Sequence, residues 1–310
     1  MRYDASSQKW RETNEPHQWP DQYIHHALIQ ALMPTLMRGM DNFCCGSIRG
    51  RGGEQVRKSI AKWMKDDVKG TKYCLQCDIR HFYPNLKPNV VMNRMRELIK
   101  DGRALDLIER TLVNGVKIGA FTSQWFANTT LQPLDHLIRE GGFGVTHYVR
   151  YMDNFTVFCG NKRKLHKLRE AVGEWLKAHK LELKDDWQIY RTAKNIAGKH
   201  RRHQCGRLPQ AVGYRFGRGY ILPRKRNFFR LKKSVGKYRR RTARGLATHF
   251  RVASGLISRL GQLTHCNNVK HYKRILNGEK LQRAMKVIVR SETPREWLSW
   301  REYMIRRQAA

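Results

Sequence analysis

Two acidic residues in this chain stand where short apolar runs end. Asp78 closes the run in Tyr73–Pro84 (YCLQCDIRHFYP), and Asp153 interrupts Tyr148–Phe158 (YVRYMDNFTVF) within the tetrapeptide Tyr151-Met152-Asp153-Asn154. An apolar run broken by a polar tetrapeptide predicts strand, turn and strand, with the acid at the hairpin tip. Carboxylates on two adjacent strands can grip a pair of divalent cations, which is what metal-assisted nucleotidyl transfer requires. Hard oxygen ligands of this kind suit Mg²⁺, and Mn²⁺ can substitute.

The bulk composition agrees with a polyanionic partner. Lys and Arg total 62 against 25 acids, a formal charge of +37 spread along 310 residues. Such an excess works against a compact state by self-repulsion unless a polyanion neutralises it, so nucleic acid is the expected ligand. No apolar run is long enough to span a bilayer and the N-terminus has no signal-type pattern, so no membrane association is expected. Cysteines 44, 45, 74, 77, 159, 205 and 266 lack disulfide-framework spacing, which predicts a reducing, cytoplasmic setting. Cys74 and Cys77 form a CxxC, yet three residues along a strand point to opposite faces and no second pair follows. Zinc is therefore not expected there. His200, His203 and Cys205 lie in a basic loop and read as RNA contacts or solvent-exposed groups.

The elements that must position these residues are read from periodicity and caps. Residues 1–20 are polar and irregular. Helices are predicted at Asp21–Met40, with Asp21 as N-cap and a kink at Pro34, and at Glu54–Asp67, after a basic glycine loop at Gly46–Gly53. A buried strand is predicted at Tyr73–Ile79, then helices at Pro88–Lys100, Ala104–Val113 and Ser123–Glu140, the last capped by Thr122 or Ser123. The hairpin at 148–158 precedes a helix from Lys162 to Lys180, strands at Leu181–Tyr190 and Gln210–Leu222, and basic helices at Asn227–Phe250, Arg251–Gln262 and Val269–Val289. This pattern predicts an α+β unit with a helical basic appendage.

Four segments in order, QCDIRHFYPNL, IGAFTSQWFAN, YVRYMDNFTVF and AVGYRFGRGYIL, resemble the palm of a reverse transcriptase. The upstream DQYIHHALIQALMPTLMRGMDNFCCGSIRGRGG resembles the fingers of bacterial reverse transcriptases, and the resemblance runs from about residue 8 to 290. It implies a right-hand polymerase: short fingers over 1–72, an RRM-like palm of antiparallel sheet plus helices over 73–222, and a basic helical thumb over 223–310. Asp78 and Asp153 would be metal ligands, joined by the backbone carbonyl of Ile79. Asn154 stands where the family usually has a second aspartate, which removes one negative charge beside the cations.

The same resemblance assigns the surrounding residues. Tyr83 would be a steric gate against a ribose 2′-OH. Ser123 and Gln124 would line the nucleotide pocket, with Arg11 meeting triphosphate and Lys184 giving a proton to pyrophosphate. Arg49, Arg51, Tyr151, Gly213, Tyr214 and Arg215 would contact template or primer. Phe228, Phe229 and Tyr238 would add stacking on the basic stretch Arg224–Arg244.

The SQ sequence, where most reverse transcriptases carry a PQG type, is similar to the enzymes of diversity-generating retroelements. These copy a template RNA into cDNA with errors at adenines. Template RNA, a primer–template duplex, dNTPs and a ring of a small basic accessory protein would then be the partners, in a bacterial or phage-infected cell. The remaining length leaves no room for a separate nuclease domain. Two other readings stay open: a retron, intron-derived or phage-defence reverse transcriptase, and an RNA-binding scaffold weakened in catalysis by Asn154.

Overall fold

A computed structural model describes residues 2–4, 9–11, 13, 16–116, 118–194, 206–246, 250–267, 272, 274 and 276–292. Backbone contacts divide the chain into two units, Met1–Val212 with Gly217–Gly219, and Gly213–Phe216 with Tyr220–Ala310. No helix among the described residues is long and apolar enough to cross a membrane.

The first unit begins with a small ribbon, β1 (Arg2–Asp4) with β2 (Lys9–Arg11), followed by α1 (Tyr23–Met37) and α2 (Gly53–Asp66). Next come β3 (Tyr73–Asp78), the short α3 (Phe82–Asn85), α4 (Pro88–Leu98), α5 (Gly102–Thr111), α6 (Phe121–Thr130) and α7 (Gln132–Glu140). The hairpin β4 (Val145–Tyr151) and β5 (Asn154–Cys159), the helix α8 (Lys162–Ala178), β6 (Gln188–Arg191) and the two-residue β7 (Gln210–Ala211) complete it. Four strands form one antiparallel sheet in the order β4-β5-β3-β6.

Side chains alternate across a strand, so each strand has two faces. Leu75 and Cys77 of β3, Tyr148 of β4 and Phe155 and Val157 of β5 share the face covered by α4, α6, α7 and α8, where the main core sits. Cys74, Gln76 and Asp78 take the other face. Both cysteines of the CxxC are buried on opposite faces and burial pushes both thiols up, Cys77 to about 12, as the strand reading predicts.

Local chemistry explains several boundaries. Asn161 caps α8 by accepting from the backbone N–H of Arg163 at 2.8 Å and Lys164 at 3.3 Å, and Asp101 does the same for α5. The single helix expected over Ser123–Glu140 is instead two, broken at Leu131 ahead of Pro133. Proline has no N–H for the carbonyl four residues back, and its ring crowds it. Arg94 donates to the Thr129 carbonyl at 3.4 Å and to the Gln132 side chain at 2.9 Å. Neither Thr122 nor Ser123 caps α6, which starts at Phe121 behind Ala120; both are buried, and Thr122 is bonded to His25. Asp21 does not cap α1 either, since its carboxylate accepts from the backbone of His17.

The second unit holds β8 (Tyr214–Gly217) up to Phe216, β9 (Tyr220–Pro223), α9 (Lys225–Ala243), α10 (Phe250–Leu263) and α11 (Gly278–Glu292). Its own core joins Leu231 and Val235 of α9 to Ala253, Leu256 and Leu260 of α10 and to Met285 of α11. Helix α9 carries no acid, and its basic residues lie off this apolar stripe.

Replacing Asn161 by Ala removes the α8 cap. The expected cost is about 1 kcal/mol of stability, read as a lower urea midpoint with an unchanged slope.

Candidate active site

Strands β3 and β5 pair so that Asp78 lies opposite Asn154, which puts Asp153 beside it in a two-residue turn. The turn is tied to β3 where the Ile79 N–H donates to the Asp153 carbonyl at 3.2 Å. The two carboxyl groups meet and share a hydrogen bond. Burial first, and then the Asp153 charge, push the Asp78 carboxyl up to about 7, while Lys184 pulls against them. Lys184 Nζ lies 4.0 Å from Asp78 and 3.1 Å from Asp186, and its backbone N–H donates to the Asp78 carbonyl at 2.9 Å. The Asn154 amide donates to Asp153 Oδ1 at 3.1 Å.

Two carboxyls held against each other in a half-buried place form an electrostatically frustrated pair. A divalent cation relieves both the repulsion and the desolvation cost, and the donors are the hard oxygens such a cation selects. The residues present therefore fit a divalent metal.

The turn itself is held from three sides. Met152 adopts φ +58°, a left-handed conformation that a side chain makes costly. Gly46 makes room for it, since a Cβ there would stand 2.7 Å from the Met152 amide nitrogen. The Tyr83 hydroxyl donates weakly to the Met152 sulfur at 3.9 Å. Beneath, Arg150 is wholly buried and donates to the Met152 carbonyl at 3.1 Å. The same guanidinium forms a two-pronged pair with buried Asp135, at 2.7 and 2.6 Å, and bonds the Asn128 side chain at 2.9 Å. Asn128 reaches on to the Gly46 carbonyl at 2.7 Å, and Tyr148 donates to Asp135. The Phe43–Cys45 segment lies along β4, taking the Arg150 N–H on the Phe43 carbonyl and giving the Cys45 N–H to the Arg150 carbonyl.

The remaining predicted residues fall into distinct settings. Tyr83 is mostly buried, and its ring borders a cavity of 280 Å³ with Leu86, Lys87 and Val116. Ser123 is buried and Gln124 half-buried on α6. Arg49 is exposed, whereas Arg51 turns inward and donates to the carbonyls of Asp41 at 2.6 Å and Cys44 at 3.1 Å. Tyr151 is 38% exposed. Arg11 lies in β2.

Within the second unit Gly213 has φ +88° and its carbonyl accepts from Arg224, Tyr214 is buried, and Arg215 donates to the Pro223 carbonyl at 3.1 Å. Phe228 and Tyr238 pack on the helical core of that unit, while Phe229 is 62% exposed. His200, His203 and Cys205 lie outside the described residues.

The family model for reverse transcriptase (RNA-dependent DNA polymerase) matches residues 7–190. The chain belongs to the reverse transcriptase family. Among solved structures, this reverse transcriptase is similar to apo telomerase from Candida Tropicalis, with a TM-score of 0.54 at 12% identity, over 88% of this chain and 53% of that one. Telomerase from the same organism in complex with a TWJ fragment of telomeric RNA gives 0.49 at 9% identity, over 86% and 57%. The corresponding Candida albicans complex gives 0.46 at 12% identity, over 83% and 47%. The likeness is one of fold, a mixed helix and sheet arrangement similar to the reverse transcriptase polymerase core. The chain spans about half the length of those telomerase chains. A comparison with curated proteins found no match.

Sequence reasoning about this reverse transcriptase missed Arg150, Asp135 and Asn128. The available signal was an arginine between Val149 and Tyr151 near the end of a strand, since a charge so placed is buried only with a partner. It also missed His25, whose Nδ1 lies 2.7 Å from the Thr122 hydroxyl and which burial holds below the usual histidine range.

Replacing Gly46 by Ala forces a methyl against the Met152 backbone. A loss of about 1–3 kcal/mol in unfolding free energy is expected, as for other overpacked sites, and denaturant titration measures it.

Proposed function

We propose that this chain is an RNA-directed DNA polymerase, carried by one observation: the meeting of the Asp78 and Asp153 carboxyls on the paired strands β3 and β5. Two divalent cations, Mg²⁺ in the cell, would be held by these carboxylates and the Ile79 carbonyl. When bound, they stabilise in-line attack of a primer 3′-OH on the α-phosphate of a dNTP, with release of pyrophosphate. Asn154, by donating to Asp153, fixes the carboxylate without adding a third negative charge. Lys184, beside Asp78, is poised to give a proton to the departing pyrophosphate. Tyr83 would bar a ribose 2′-OH, Gln124 would face the templating base, and exposed Arg49 would meet phosphate. In this reading residues 1–72 act as fingers, 73–222 as palm and 223–310 as thumb, with the acid-free helix α9 following the duplex backbone.

The SQ sequence at Ser123-Gln124 supports assignment to a diversity-generating retroelement, with template RNA and a basic accessory ring as partners. The missing second aspartate is the observation that favours the rival, an RNA-binding scaffold. Primer extension on an RNA template decides between them. Mg²⁺-dependent dNTP incorporation is expected, abolished by Asp153→Ala and unchanged or raised by Asn154→Asp. Incorporation by the Asn154→Asp variant alone would favour the scaffold. Sequencing of the products tests the retroelement assignment, which requires errors concentrated at template adenines.

The sign of the pH dependence follows from Asp78. Its folded-state value lies near 7 against an unfolded value near 3.8, so the native state binds the extra proton and metal-free stability falls as pH rises from about 4 to 7. Cation binding needs the ionised form. Added Mg²⁺ is therefore expected to raise Tm more at pH 8 than at pH 5.5, a difference that Asp78→Asn removes.

A further inference from the structure

The Arg150 guanidinium has five N–H donors, and each has an acceptor in the protein. Nε and Nη2 grip the two oxygens of Asp135, Nη1 reaches Asn128 Oδ1 and the Met152 carbonyl, and Nη2 reaches the Asn128 carbonyl at 3.3 Å. A buried ion pair is by itself weak evidence for stability, because apolar residues of similar volume often serve as well. What apolar residues cannot supply is the fifth bond, to the carbonyl of a residue in a left-handed turn.

That turn is disfavoured by its own sequence. Two-residue hairpin loops ask for glycine, asparagine or aspartate where the backbone is left-handed, and here the residue is Met152. The conformation therefore depends on its surroundings: the space above Gly46, the Ile79 N–H on Asp153, and Arg150 below. Asn128 ties two of these supports to α6, since it lies one helical turn beyond Gln124, bonds the Gly46 carbonyl and bonds Arg150.

We infer that Arg150, with Asp135 and Asn128, is a positioning device that holds Asp153 at the carboxyl of Asp78 and fixes the metal-binding turn to the helix carrying Gln124. The inference rests on the polymerase reading for its kinetic consequence, but not for its metal-binding one.

Arg150→Lys keeps the charge beside Asp135 and loses the fork that spans Asn128 and Met152. In the full-length protein it is expected to lower kcat for dNTP incorporation at least tenfold with less than a threefold change in KM. The Mn²⁺ midpoint, followed by electron paramagnetic resonance without nucleotide, is expected to rise by a similar factor. Tyr148→Phe removes a bond to the Asp135 oxygen that also accepts from Arg150 Nε, and keeps the Arg150 bonds to Asn128 and Met152. It is expected to lower Tm while leaving kcat and the Mn²⁺ midpoint within twofold of the parent.

A folded Arg150→Lys protein with parental kcat and midpoint overturns the inference. So does a Tyr148→Phe protein that loses both as far as Arg150→Lys does, since the cluster then supplies stability alone. An Arg150→Lys chain that yields no cooperative unfolding makes the residue a folding requirement and overturns it too. A parent protein that binds Mn²⁺ through Asp153 but incorporates nothing defeats the polymerase reading and leaves the midpoint comparison to decide the positioning role.

Discussion

Two like-charged groups must be kept together in a place only partly open to water. That constraint organises the first unit. Left alone, the Asp78 and Asp153 carboxyls would repel each other, and burial and then that repulsion push the Asp78 carboxyl up to about 7. Antiparallel pairing of β3 with β5 brings the two backbones into register, but pairing alone leaves a hairpin tip free to flex. The left-handed Met152, the cleared space at Gly46 and the buried guanidinium beneath remove that freedom. The helices on the far side of the sheet matter here because α6 and α7 supply Asn128 and Asp135.

The two acid-bearing strands were legible because burial on both faces writes itself as a short apolar run, and each run ended in an acid. The order of the four motifs added the family, which the match over residues 7–190 bears out. Less was legible where the deciding partner is distant in sequence. Thr122 and Ser123 have the chemistry of a helix cap, but tertiary packing buries them and gives Thr122 to His25. The break ahead of Pro133 could have been read from proline alone, and was obscured by continuous apolar spacing on either side. Arg150 could have been noticed as an oddity, yet nothing in one chain says which acid answers it.

The second unit shows how charge and packing share one helix. In α9 the residues Phe228, Leu231, Val235 and Tyr238 recur at helical spacing and meet α10 and α11, so two of the aromatics expected to stack on bases are occupied as core. Phe229 remains outside with the lysines and arginines. A helix this basic, with no acid of its own, repels itself, and its inward apolar stripe offsets that repulsion.

Strand β4 lies at one margin of the four-stranded sheet, where unpaired amides would template the addition of a strand from a neighbouring molecule. The Phe43–Cys45 segment occupies both backbone groups of Arg150 and so closes that margin beside the acidic turn. The Phe43–Cys45 segment thus has a second duty, as a guard against self-association: a chain loosened there would expose a sticky edge as well as a slack hairpin.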